Sequence, residues 1–262
     1  MFLVYLDRIK RKKVTQAAEE FPWTVQSLNS FNVLDFTTSV TFLVGDNGSG
    51  KSTLLEGLAY GMGAYAVGSN NSVASDPLLH HARLVAEAFY FERRSRPKTK
   101  MFLRAEDVYG FIKAEIAEAS DLEAEASEIM ASDRPSATAA NMLLDTARSI
   151  RQSDPDGRSH GETFLKILGS RLHTGGLYFL DEPETPLSPA RQLSLLFLIQ
   201  DLATGGAQFI IATHSPILLA LPGATILQLD RHGITQTEYE DVENVSFMKA
   251  FLQRPELFLD TD

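Results

Sequence analysis

The stretch VTFLVGDNGSGKSTLLEGLA, residues 40–59, constrains this chain more than any other part of it. An apolar run, Val40 to Val44, leads into glycine-rich residues and then into a helical pattern, and the turn between them fits G-x-x-x-x-G-K-S with Gly45, Gly50, Lys51 and Ser52 in register. The spacing has a physical reason. Glycines allow successive backbone N–H groups to converge on phosphate oxygens, and a helix opening at Gly50 adds the positive end of its dipole. Residues Gly45, Asp46, Asn47, Gly48, Ser49, Gly50, Lys51, Ser52 and Thr53 are therefore the expected phosphate contacts, with Lys51 reaching the β- and γ-phosphates and the Ser52 hydroxyl ligating Mg²⁺.

Such a loop needs a partner at the end of a second buried strand. LYFLDEPET, residues 177–185, supplies it: Asp181 is placed to hold Mg²⁺ and Glu182 to polarise an attacking water. A third strand, FIIATH, ends in His214. In a doubly wound sheet ligands collect at the carboxyl ends of strands, so His214 is expected near the γ-phosphate or the attacking water. His80 and His81 lack such a context and read as surface residues.

The rest of the chain supports an α/β reading. Residues 1–44 contain short apolar runs, FLVYL and VTFLV, that read as strands of an N-terminal β subdomain. Residues 84–104 hold two strand candidates around an SRPK turn, which suggests a β-hairpin or a sheet edge. From about 107 to 158 a helical insert is expected, because Ile112, Ile116, Ala119, Leu122, Ala126 and Ile129 recur at helical spacing up to a polar SDPDGRS loop. Helix and strand patterns then alternate to residue 230, implying a mostly parallel sheet covered on both faces. The whole, residues 1–262, reads as one domain.

Composition narrows the function classes. Twenty-four basic against thirty-four acidic residues give a formal net charge of −10, which disfavours contact with a nucleic-acid backbone unless cations cluster. One cluster exists, Arg8, Lys10, Arg11, Lys12 and Lys13, and reads first as a solvated turn. The absence of cysteine fits a reducing, cytoplasmic setting and excludes thiolate chemistry. The first residues do not read as a secretory signal, and the longest apolar run, LSLLFLI, is far short of the ~20 residues of a membrane span. No N-K-x-D guanine-recognition element is present.

Taken in order, VTFLVGDNGSGKSTLLEGLA, DEPETPLSPARQ and FIIATHSPILLALPGATILQLD resemble the ATP-binding-cassette (ABC) class of P-loop ATPases, which includes SMC and RecF-type proteins and transporter subunits. The likeness is strongest to stand-alone bacterial ATPases of the AAA-labelled, ABC-like kind. It implies a P-loop NTPase fold with a mixed sheet flanked by helices, Mg²⁺-dependent ATP hydrolysis, and a homodimer that sandwiches ATP to drive a conformational switch. It also implies a signature segment acting on the other subunit's nucleotide. SHGE stands 22 residues before Asp181, counted from Ser159, so Ser159 takes the place of the signature serine and Gly161 of its second glycine. His160 replaces the first glycine, and Glu162 is compatible with phosphate only if it turns away or caps the helix.

Other parts of the family pattern are altered. The glutamine that joins the metal site to the helical insert is missing, and Glu106 stands near its place; Ser188 replaces an aspartate that contacts the other subunit. Phe21, Trp23 and Phe31 are each either an adenine-stacking ring or core. The 108 residues from Lys51 to Ser159 are too few for an SMC-type arm. Two other functions stay open: a nucleotide-sensing module of a defence or DNA-repair complex, and a transporter ATPase subunit.

Overall fold

The computed structural model describes residues 4–13, 20–66, 80–132, 136–151 and 160–259, with the backbone alone for 106–109, 111–116, 149–151 and 160. In chain order the elements are β1 (Leu6–Arg11), α1 (Gln26–Ser30), β2 (Val33–Asp35), β3 (Val40–Val44), α2 (Lys51–Met62), β4 (Tyr65–Ala66), α3 (His80–Ala88), β5 (Phe89–Arg93), β6 (Thr99–Arg104), α4 (Ala105–Ala131) and α5 (Ala137–Arg151). They continue with α6 (His160–Arg171), β7 (Gly176–Asp181), α7 (Pro189–Thr204), β8 (Gln208–Ala212), α8 (Pro216–Leu219), β9 (Thr225–Asp230), β10 (Gly233–Thr237) and α9 (Glu243–Gln253).

Seven strands form the central sheet in the order β10-β9-β3-β8-β7-β6-β4, parallel throughout except for the β9–β10 hairpin. Strand periodicity divides its side chains between two cores. Leu177 and Phe179 of β7 with Ile210 and Ala212 of β8 pack on the side of α2, whereas Tyr178, Leu180, Phe209 and Ile211 pack toward α6, α7 and α8. Both faces are thus covered, which is why these strands are apolar at every position rather than at alternate ones.

A second sheet, β2-β1-β5, is antiparallel and lies on the α2 side. Buried Gln208 ties the two sheets together: its side-chain oxygen accepts from the Tyr5 and Leu6 N–H groups at 2.8 and 2.9 Å, and its Nε2 donates to Leu6 O at 2.9 Å. The oxygen and the nitrogen of that buried amide each have a hydrogen-bond partner, which offsets the cost of removing it from water.

One expectation holds only in part and another fails. Of the two alternatives for 84–104, the hairpin is absent and the sheet edge is present: His80–Ala88 is helical, β5 is an edge strand paired with β1, and β6 joins β7 in the other sheet. Ala82, Val85 and Ala88 form a buried stripe at three-residue spacing, and α3 presses so close to α2 that a Cβ on Gly57 would stand 2.3 Å from Val85 Cγ1. The basic cluster is not a turn either, since Arg8 to Arg11 lie within β1. Arg11 is partly buried between Trp23, Phe31 and Phe89, with its guanidinium carbon 5.1, 5.7 and 4.8 Å from their ring centroids, and burial lowers its pKa.

The helical insert is a pair of packed helices, α4 and α5. Ala119 and Ala126 on one, Ala140 and Ala147 on the other, are buried at seven-residue spacing, a small-residue seam that allows close helix approach.

Candidate functional site

The parallel order places the ends of β3, β8, β7 and β6 side by side, and these ends carry the sequence-predicted residues. Residues 45–50 connect β3 to α2. Gly45 has φ 142°, and a Cβ there would lie 2.2 Å from Leu229 O; Gly50 has φ 98° and immediately precedes α2. Only glycine meets both demands without strain. Lys51 is buried, and its Nζ donates to Gly45 O and Asp46 O at 2.8 and 3.0 Å. Burial lowers its pKa, against the raising influence of Glu182, Asp181, Asp46 and Glu184.

Ser52 Oγ donates to Asp181 Oδ1 at 3.1 Å, so the hydroxyl and the carboxylate expected to share a metal do meet. Asp181 is 8% exposed, and burial is the main cause of its pKa rising to about 6, with Glu56 and Glu182 adding to it and Ser52 opposing it. Hard oxygen donors from an alcohol and an electron-rich carboxylate suit Mg²⁺, and a cation there would relieve a charge the fold otherwise isolates. Among the described residues no group of three or more His, Cys, Asp or Glu side chains forms a metal cluster.

Glu182 has φ 45°, the left-handed region, and is the sole non-glycine residue with positive φ among the described residues. His214 Nε2 lies 4.0 Å from Glu182 Oε1, beyond hydrogen-bond reach, and is a buried nitrogen without a hydrogen-bond partner among the described residues. A cavity of about 530 Å³ opens beside the pair, lined among others by Gly45, Asp46, Asn47, Asn244 and Phe247.

Several residues at this site are not singled out by the sequence. Glu184 is partly buried, accepts from the His214 N–H at 2.7 Å, and has its pKa raised by desolvation of its carboxyl. Asn244 Nδ2 at the start of α9 donates to His214 O, so the His214 backbone is held from both sides. On α2, one turn beyond Ser52, buried Glu56 pairs with both Arg104 and His81. His81 is thus not a surface residue but half-buried against a carboxylate, while His80 is exposed as expected. The acidic residue inside the apolar run LLEGLA was the available signal for Glu56. Arg104 and His81 have none, because their partner lies 48 and 25 residues away.

The remaining predicted residues divide. Ser159 lies outside the described residues, as does the side chain of Glu106. Gly161 is buried, and a Cβ on it would meet Pro186 O at 2.8 Å, so close packing of α6 on the loop after β7 already requires a glycine. Glu162 turns to Arg191, 3.5 Å away. Ser188 precedes α7 and its carbonyl accepts from Arg191 and Gln192 N–H groups. Trp23 and Phe31 are core. Phe21 is 52% exposed and lines a small cavity with Gly48, Gly50, Lys51, Ser52 and Thr53.

Fold and site together define a mixed, largely parallel α/β sheet flanked by helices, with a phosphate-loop motif between β3 and α2. Residues 24–154 match the model of a family described as "AAA domain", and residues 163–220 match one described as "AAA domain, putative AbiEii toxin, Type IV TA system". The first match spans half of the chain, and the chain belongs to the AAA domain family. No curated protein matches it in sequence. Solved structures similar to it include a nucleotide-free ATP-binding cassette from an ABC transporter, with 16% identity, TM-score 0.47, and 98% of this chain and 100% of that one covered. The ADP conformation of an ATP-binding cassette of an ABC transporter gives 14% identity and TM-score 0.45 over 98% and 99%. The SMC head domain from Thermotoga maritima gives 13% identity and TM-score 0.41 over 89% and 98%.

Among the described residues no helix is long and apolar enough to cross a membrane.

Proposed function

We propose that the chain binds Mg-ATP at residues 45–53 and hydrolyses it to ADP and phosphate, working as a homodimer that closes around two nucleotides and so switches conformation. The observation that carries this reading is the convergence of the phosphate loop with Ser52, Asp181, Glu182 and His214 at adjacent strand ends.

In this reading Lys51 exchanges its two loop carbonyls for β- and γ-phosphate oxygens, and the N–H groups of residues 45–53 hold the rest of the triphosphate. Ser52 and Asp181 would hold the magnesium ion, which when bound supplies charge neutralisation at the phosphates. Glu182 accepts a hydrogen bond from the attacking water, with His214 4.0 Å from it and placed to contact that water or the γ-phosphate. The left-handed backbone of Glu182, a conformation costing ~1–3 kcal/mol, supports a role for that residue, since strain of this kind persists where the surroundings over-determine it. Glu184 and Asn244 fix the strand end bearing His214 and act as positioning residues.

The dimer follows the family resemblance: a second subunit's signature segment, Ser159 to Glu162 leading into α6, would meet the shared nucleotide. Phe21, exposed beside Gly48 to Thr53, is the aromatic residue placed to meet the base.

Lys51→Ala tests the assignment. Titration with a fluorescent ATP analogue should show binding to the parent chain and a loss of at least a hundredfold in the variant. Equal affinity in the two would overturn the site.

A further inference from the structure

Charge is strongly segregated in this chain. Residues 4–13 and 89–104 hold eleven of its twenty-four basic residues and two of its thirty-four acidic ones, Asp7 and Glu92. The remainder carries thirteen basic against thirty-two acidic residues. The fold lays the two basic segments together, because β1 pairs antiparallel with β5, with Lys10 opposite Tyr90 and Arg8 opposite Glu92.

Not all of these cations are available. Arg11 is packed among aromatic rings and Arg104 is held by Glu56. Arg8 is neutralised by Asp35 and Glu92, and Arg94 by Asp7. Three others donate only to neutral backbone in the bonds shown: Lys12 to Glu87 O, Arg93 to Gly61 O and Lys100 to Met62 O. None of the three makes an ion pair among the described residues, and burial together with repulsion from Arg93 and Arg96 lowers the pKa of Lys100. Lys10, Lys13, Arg96 and Lys98 are exposed and make no ion pair among the described residues.

These cations run along a ribbon rather than around a point. From Leu6, paired with Arg93, to Lys12 the strand rises by six residues at ~3.4 Å each, about 20 Å. In its middle stands Tyr90, 60% exposed, with Lys12 Nζ 5.2 Å from its ring centroid and Lys10 directly opposite. An antiparallel face with an open aromatic ring between lysines is the combination that holds single-stranded nucleic acid: cations track phosphates and the ring stacks on a base of any sequence. A stripe of ~20 Å suits about six nucleotides, within the range of ~4–16 per small β-sheet module. A bilayer surface would call for several apolar side chains to bury, and beside Tyr90 the face offers only Val33. An acidic peptide would leave the ring unused.

We infer that the outer face of the β2-β1-β5 sheet, with the β5–β6 turn, binds single-stranded nucleic acid through Lys10, Lys12, Lys13, Arg96 and Lys98, with Tyr90 as the stacking ring. This does not depend on the nucleotide reading, since none of these residues lines the phosphate loop.

Fluorescence anisotropy of a labelled single-stranded oligonucleotide of mixed sequence, titrated with the full chain across ~50–200 mM salt, tests the inference. Binding should be micromolar at the lower end and weaken steeply with salt. In Lys10→Ser/Lys13→Ser/Arg96→Ser/Lys98→Ser, affinity should fall more than tenfold and the log–log salt slope should flatten by ~0.7 per lost contact, ~2.8 in all, with the melting temperature and ATP-analogue binding retained. Tyr90→Leu should weaken the single strand and leave a duplex of the same sequence, the poorer ligand, unaffected. Equal oligonucleotide affinity in parent and quadruple variant would overturn the inference. So would sedimentation with phosphatidylserine vesicles without oligonucleotide binding, or a duplex bound as tightly as the single strand.

Discussion

Replacing Asp181 by asparagine should make the nucleotide-free protein more stable while removing its Mg²⁺-dependent activity. The fold raises this carboxyl from 3.8 to about 6, chiefly by burying it. At ~1.36 kcal/mol per pKa unit, keeping it ionised at neutral pH costs about 3 kcal/mol. Asparagine has nearly the same shape and no charge, and the preference of the Ser52 Oγ bond for the ionised form is already included in that cost. The gain is therefore ~3 kcal/mol, or a rise in melting temperature of ~6–12 °C for a chain of this size. Because the folded state binds the Asp181 proton more tightly than the unfolded state, stability falls as pH rises from 3.8 to about 6 and the penalty is complete above that window. Scanning calorimetry near pH 7.5 should thus show the full difference between parent and variant, shrinking as the pH approaches 4. A difference of the same size at both ends, or none at neutral pH, would refute the reasoning, as would undiminished Mg²⁺-dependent turnover in the variant.

The buried Glu56 should be costly to lose. Glu56→Ala leaves Arg104 and His81 without their shared carboxylate and should destabilise the chain by ~3 kcal/mol, the lower end for a broken buried pair because both partners are a quarter exposed; denaturant unfolding measures it. Glu56→Gln, which keeps the shape and one acceptor, should recover about half of that loss. At the start of α6, Ser159→Arg should leave ATP-analogue binding intact and reduce turnover at least tenfold, and unchanged turnover in a phosphate-release assay would count against a trans-acting role.

What was legible in the sequence was what covalent neighbourhood determines. The loop 45–53 and the pair Asp181–Glu182 are short motifs whose backbone geometry follows from their own glycines and flanking apolar strands, and they stand at the ends of β3 and β7 as expected. His214 followed from the same strand-end logic, and it comes within 4.0 Å of Glu182. What failed depended on distant contacts. The run LVAEAFYF carries no local preference strong enough to decide its state; Val85 against Gly57 holds its first part as helix, and pairing with β1 holds its second as strand. Arg11, one cation in a polar run, is drawn inward by three rings from separate elements. The Glu56–Arg104–His81 contacts and the clamp of Glu184 and Asn244 on His214 join residues far apart in sequence, so no spacing rule announces them.

The most direct test of the proposed ATP cycle is phosphate release by the parent chain and by Glu182→Gln, with the oligomeric state followed by light scattering in saturating Mg-ATP. The account predicts Mg²⁺-dependent release by the parent, a fall of ~10²–10³-fold in the variant, and accumulation of the variant as an ATP-bound dimer. Equal release by both proteins, or a variant that stays monomeric with ATP bound, would contradict it.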